Sequence, residues 1–258
     1  METIQVHRSD GVVTITMDRP EVKNAINGTM WGELLETFRS IYQDPDDRVV
    51  VLTGAGGAFC SGADVRTMGT TAQDRSALAA MREVSDVALA LHRLPQPVIA
   101  KVRGVAAGAG CNLALAADLV VAGSSARFSE IFARRGLSVD FGGTWLLPRL
   151  VGLHRAKELA FFADVLSADE VHAMGLLNRV VPDDTLDEVV DEWVARLGAG
   201  PPLALSLTKK MLNDSMANGM EQALEEEARS QSVNFGTADT AEAIEAFLDR
   251  REPRFEGR

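Results

Sequence analysis

The chain has 258 residues, enough to bury a sizeable core in one large domain or in a domain with an appendage. Hydrophobic residues make up 46% and charged residues 24%, an ordinary globular balance. With 26 basic against 37 acidic residues the net charge is −11, which speaks against nucleic acid and anionic membrane as partners, though not against an anionic ligand held by a few local cations.

The N-terminal residues alternate polar and apolar, without the basic start and apolar run of a secretory leader. Residues 4–7 and 12–17 read as paired strands, with Ser9-Asp10-Gly11 as the turn. Met30, Leu34, Phe38 and Ile41 recur at helical spacing and predict an amphipathic helix over residues 27–42. Residues 49–52 are wholly apolar, as in a strand buried on both faces. Leu78, Met81, Val84, Ala88 and Leu91 mark a second helix. Residues 97–102 form the next strand, residues 104–110 a run rich in glycine and alanine, then a helix of small residues to about 117 and a strand over 119–122. Residues 98–122 are the most apolar region, but Lys101, Arg103, Asn112 and Asp118 break it, so it does not span a membrane. A cytoplasmic location is the default expectation.

Strand and helix alternate up to this point, the pattern of an α/β fold. After Leu150 helices dominate, over residues 153–162, 168–174, 186–197, 202–216, 220–235 and 241–250. Ser167 ahead of Asp169 and Glu170 is an N-cap signal, and Pro201-Pro202 punctuates a helix start. The expected division is an α/β core over residues 1–195 and a helical C-terminal region over 196–258.

Two glycine-rich turns each follow a buried strand: Thr53 to Asp64 through Gly54, Gly56, Gly57 and Gly62, and Gly104 to Asn112 through Gly108 and Gly110. Glycine lets backbone approach a ligand and present N–H groups to it, and a helix start adds unpaired donors. Each run alone is equally well a tight turn. Neither fits the Gly-x-Gly-x-x-Gly pattern of dinucleotide binding, since Phe59 and Leu113 stand where the third glycine belongs.

The residues Ala58-Phe59-Cys60-Ser61-Gly62-Ala63-Asp64-Val65, and Gly104-Val105-Ala106-Ala107-Gly108-Ala109-Gly110 followed by Cys111-Asn112, resemble the two motifs of the crotonase (enoyl-CoA hydratase/isomerase) superfamily. The strand Pro97-Val98-Ile99-Ala100-Lys101-Val102 and the segments Ala117-Asp118-Leu119, Ala126-Arg127-Phe128-Ser129 and Gly142-Gly143-Thr144 continue the match. The resemblance implies a ClpP-like fold of repeated ββα units, a homotrimer or dimer of trimers built through the C-terminal helices, and an acyl-CoA thioester as ligand. It implies an oxyanion hole from the N–H groups of Ala63 and Ala109, which would stabilise a thioester enolate. No metal and no redox cofactor is implied; coenzyme A arrives as part of the substrate.

The acid/base positions depart from the hydratase pattern. Hydratases of this family use two glutamates; the first falls on Asn112, and an ungapped register from Ala126 to Thr144 puts the second on Phe132. Neither side chain ionises, and each missing group is worth about a hundredfold or more. Glu130, two positions away, reads as a coincidence. Asp140 stands where Asp-dependent enoyl-CoA isomerases of the superfamily carry their working aspartate. The ring-1,2-epoxyphenylacetyl-CoA isomerase type also resembles this chain at Asn112 and through Gly-Gly-Thr-Trp-Leu-Leu-Pro-Arg. A bare N-cap is the competing reading of Asp140. A chlorobenzoyl-CoA dehalogenase would need His and Trp where Ser85 and Phe132 stand.

The sequence thus favours an isomerase, with a divergent hydratase as alternative and a non-catalytic acyl-CoA-binding relative from another class. Further substrate-binding candidates are Lys23, Ala25, Ser61, Gly62, Asp64, Val65, Gly110, Asn112 and Phe132, with Phe247 and Arg250, three apart on a helix face, reaching the coenzyme A of a neighbouring subunit. Cys60 and Cys111 read as small buried thiols, and His7, His92, His154 and His172 lack metal-ligand or triad spacing.

Overall fold

The computed structural model describes residues 1–66 and 76–258. Strands β1 (Ile4–Ser9) and β2 (Val12–Met17) pair antiparallel, Ile4 opposite Met17 and Ser9 opposite Val12. Asp10 and Gly11, with φ of 51° and 76°, make the two-residue left-handed turn that matches strand twist. From β2 the sheet runs parallel through β3 (Val49–Gly54), β4 (Val98–Val102), β6 (Leu119–Gly123) and β9 (Arg179–Val181), in the order β1-β2-β3-β4-β6-β9. A second, small sheet holds β5 (Val105–Ala107), β7 (Arg127–Ser129) and β8 (Leu166–Ser167).

Each central strand points alternate residues to opposite faces. Val50, Leu52, Val98 and Ala100 join a large core under α1 (Gly28–Gln43) and α2 (Ala77–His92). Val49, Val51, Ile99 and Val121 join a smaller one under α6 (Leu186–Gly198). In α1 the predicted stripe of Met30, Leu34, Phe38 and Ile41 is fully buried, and the Asn27 side chain accepts from Met30 N at 2.9 Å as N-cap. Full burial of each such side chain contributes about 1.5–3 kcal/mol. In α2 the buried residues are Val84, Val87 and Leu91, whereas Leu78 and Met81 are exposed.

After β5 comes α3 (Ala109–Leu115), buried at every position. Helix α4 (Gly143–Phe162) starts ten residues before the expected 153 and is broken at Gly152, where φ is 76°. Only the part beyond that break is the helix the periodicity shows. Next are α5 (Ala168–Ala173), entered through a full capping box between Ser167 and Glu170, and α6. Residue 195 lies inside α6, so the expected division of the chain at 195/196 falls within a helix that packs on the sheet. Helices α7 (Pro202–Asp214), α8 (Met220–Phe235) and α9 (Ala238–Asp249) complete the C-terminal region, with Pro202 in the first turn of α7. The architecture is a fold of repeated ββα units carrying a C-terminal helical region. No helix among the described residues is long and apolar enough to cross a membrane.

Candidate active site

The two glycine segments are bonded into one wall. Phe59 N and Cys60 N donate to Val105 O at 3.1 and 2.9 Å, and Ala107 N donates to Cys60 O at 2.9 Å. Contact this close needs glycine: a Cβ on Gly110 would sit 2.4 Å from Cys60 O, and one on Gly62, where φ is 99°, would sit 2.8 Å from Ala107 O. That same Gly62 position lies 3.8 Å from Ala109 N, so the two segments meet where their free donors are. Ala109 is the first residue of α3, and its N–H has no partner within the helix. Ala63 bridges Ile26 through the Gly62 carbonyl and the Asp64 N–H, which turns Ala63's own N–H away from that bridge.

Gly62, Ala63, Ala107 and Ala109 line a cavity of about 460 Å³ together with Ala25, Ser61, Val65, Phe132 and Asp140. Asp140 comes from the loop before α4. Its backbone carbonyl accepts from Gly143 N at 3.0 Å, while its side chain makes no cap: the N-cap of α4 is Gly142, without a side-chain bond. The N-cap reading is therefore wrong. Phe141 follows with φ of 48°, a left-handed conformation uncommon for a bulky residue, and its ring stacks on Trp31 at 5.5 Å. Asp140 Oδ1 is buried without a protein hydrogen bond. Burial pushes its carboxyl up to about 6.

Behind the wall lies a second polar layer. Asn112, fully buried on α3, donates from Nδ2 to Asp140 O at 3.0 Å and to Glu130 Oε2 at 3.3 Å. Glu130 is 3% exposed, and burial pushes its carboxyl up to about 7 against the hydrogen bonds of Cys111 and Asn112, with the charge of Asp140 adding to the rise. Glu130 does not line the cavity. The structure keeps Glu130 off the lining and makes it a direct partner of Asn112, a contact that counting along the chain does not indicate. The missed signal is that Glu130 follows β7 immediately, and Ser129 O accepts from Gly108 N at 2.8 Å, at the head of the helix that carries Asn112.

The other expected residues divide. Asp64 lines the cavity but is spoken for: Arg66 and Arg19 each approach its carboxylate at 3.0 Å and hold it well below the usual range. Gly110 and Asn112 sit behind the lining and not in it. Lys23 is exposed, in a left-handed conformation, with its carbonyl accepting from Ser61 N at 2.9 Å; its side chain is not part of the lining. Phe247 is 82% exposed and not part of this chain's cavity lining. Arg250 is not on the same helix face as expected, because α9 ends at Asp249 and Arg250 is its left-handed cap, with φ of 56°. Cys60 and Cys111 are buried free thiols. No three metal-ligating side chains are grouped among the described residues.

The fold and this wall define an α/β protein with two glycine turns facing one desolvated carboxylate. Residues 7–258 match the family described as Enoyl-CoA hydratase/isomerase. A Rhodobacter capsulatus protein named "Probable enoyl-CoA hydratase" is 42% identical, over 99% of this chain and 98% of its own length. The 1,2-epoxyphenylacetyl-CoA isomerase of Escherichia coli is 38% identical over the whole of both chains. The crystal structure of an enoyl-CoA hydratase from Bacillus anthracis superposes with a TM-score of 0.93 at 31% identity, again over the whole of both. The chain belongs to the enoyl-CoA hydratase/isomerase family and has its crotonase fold.

Proposed function

We propose that this enzyme takes an acyl-CoA thioester and forms its enolate, with Asp140 moving the proton and the N–H groups of Ala63 and Ala109 receiving the thioester oxygen. One observation carries the reading. Of the two carboxylates lining the cavity among the described residues, Asp64 is tied to two arginines, while Asp140 has an oxygen without a protein partner and a proton affinity raised toward neutrality. Ionised Asp140 takes the α-proton, the electron pair moves onto the thioester oxygen, and protonated Asp140 returns the proton at another carbon. That is isomerisation by one group, a reading supported by Asp140 being the lining carboxylate not tied to an arginine.

Hydration is the second reading, and the comparisons favour it: of the relatives named above, two carry hydratase names and one an isomerase name. Water would then be activated at Asp140, with Glu130 moving into reach. Assays on 2-enoyl-, 3-enoyl- and dienoyl-CoA, with wild type, Asp140→Asn and Glu130→Gln, separate the two. Isomerisation predicts that double-bond migration outpaces hydration and that only the aspartate variant is silent. Hydration of crotonyl-CoA on the order of 10² per second would assign the chain to the hydratases.

We also propose a trimer-based assembly held by the C-terminal helices, where Leu212, Met216, Met220, Phe235, Phe247 and Leu248 are exposed apolar residues. A monomer by light scattering at micromolar concentration would sink that proposal, and with it any role of Phe247 and Arg250 at a neighbouring site.

A further inference from the structure

We infer that Glu130 is a positioning residue for Asp140: from behind the cavity wall, through the Asn112 amide, it fixes the turn that aims the Asp140 carboxyl. The inference rests on the proposed role of Asp140 and adds a residue that never meets the substrate.

The two amide hydrogens of Asn112 go to two acceptors, Asp140 O at 3.0 Å and Glu130 Oε2 at 3.3 Å. A backbone carbonyl only accepts, so the amide's orientation is settled by its partners. The amide also has no room to drift. A Cβ on Gly143 would lie 2.5 Å from Asn112 Nδ2 and 2.6 Å from Oδ1, so the first turn of α4 closes over it. Glu130 thus anchors the far hydrogen of an amide whose near hydrogen holds the backbone of the proposed base. The next residue, Phe141, sits at φ 48°, a strained conformation that persists only where its surroundings impose it. Holding the Asp140 carbonyl is one such constraint.

The layer is polar for a reason that packing does not supply. Asn112 Oδ1, Glu130 Oε1 and Asp140 Oδ1 are all buried without a protein partner, in a fold whose glycines bring apolar segments into direct contact elsewhere. A buried polar cluster left partly unsatisfied destabilises the fold, and an apolar trio would not. The groups that act on Glu130 are Cys111 and Asn112 from α3 and Asp140 from the loop before α4. Burial and the neighbouring charge keep Glu130 protonated to a higher pH than Asp140, so where Asp140 ionises its neighbour is still largely neutral.

The test is exchange of the α-proton of a bound acyl-CoA thioester in heavy water, with turnover and KM, for Glu130→Leu, Glu130→Gln and the control Asp140→Asn. Leucine removes the anchor, and turnover should fall on the order of 10- to 100-fold at nearly unchanged KM, the effect of a misplaced group. Glutamine still accepts from Asn112, and activity should stay within about threefold. A folded leucine variant with wild-type turnover overturns the inference. So does a glutamine variant as silent as Asp140→Asn, which would make Glu130 a group that acts on the substrate. Should the leucine variant not fold, the pH profile decides: wild type should inflect near 6 and again near 7, and Glu130→Gln should keep only the first. Two inflections in both proteins would overturn the inference. If Asp140→Asn itself keeps exchange, the proposed function fails instead, and the two failures are told apart.

Discussion

The front of the cavity wall and the layer behind it contrast sharply. In front, the two glycine segments offer backbone donors, and Asp140 lines the cavity with its Oδ1 buried and unpartnered. Behind, Asn112 and Glu130 are sealed, one at 0% and the other at 3% exposure, and bonded to each other. Two carboxyls in adjacent positions are therefore pushed up by the same cause, burial, yet only one is open to a ligand. A raised proton affinity marks a desolvated group; access decides whether it can meet a substrate.

The largest expected effect breaks this contrast at the front. Asp140→Asn keeps the shape but cannot take a proton, so turnover should fall by about a hundredfold or more with thioester affinity nearly unchanged. Steady-state kinetics beside calorimetric titration with a thioester check it; equal loss of both would make Asp140 a binding residue only.

A methyl group at the back should reach the front. Gly143→Ala puts a Cβ 2.5 Å from Asn112 Nδ2 and 2.6 Å from Val139 Cγ1. The amide must move, and the variant should imitate the loss of the Glu130 anchor: turnover down on the order of tenfold or more, and stability down by about 1–3 kcal/mol. Chemical denaturation with kinetics on the same preparation measures both.

Stability against pH separates the two carboxyls from ordinary surface acids. A carboxyl whose folded value is raised binds more protons in the folded state between its unfolded and folded values. Its stabilising contribution is present near pH 4 and is lost as the pH rises through about 6 for Asp140 and about 7 for Glu130. Asp140→Asn should therefore be the more stable protein at pH 8, by about 2–3 kcal/mol, with the gap closing toward pH 4. Melting curves across that range would refute it if the gap were constant.

The smallest effect belongs to the rim. Lys23 is exposed and off the lining, so Lys23→Ala should raise KM by only a few-fold, in a salt-dependent way, and leave turnover alone. A large loss of turnover would mean that its side chain reaches the reacting atoms.

Most of the fold was legible because periodicity reports which face is buried. The stripe of Met30, Leu34, Phe38 and Ile41, the apolar run of residues 49–52 and the Ser167 cap signal each carry their own structure locally. Errors came where conformation is set from outside the segment. Leu78 and Met81 fit a helical stripe yet face solvent, and the helix expected from 153 starts at Gly143 because a left-handed Gly142 and the break at Gly152 allow two segments to run on. Arg250 looked like a helix-face residue, but one left-handed residue after Asp249 takes it off that face.

The sequence by itself determined the α/β pattern and the glycines at 62, 108 and 110, which follow from local rules of spacing and small size. Asp140 stood out only through the resemblance to a family. Only the tertiary structure decided which carboxyl is open. Counting from Ala126 to Thr144 passes over Glu130 and lands on Phe132, but the chain between them is a 3-10 turn, Ile131–Arg135, ending in a left-handed Gly136. A 3-10 turn advances and rotates the chain differently from strand or α-helix. It carries Phe132 to the cavity and leaves Glu130 beside Asn112, behind the wall. Burial and access are properties of the packed whole, and no count along the chain contains them.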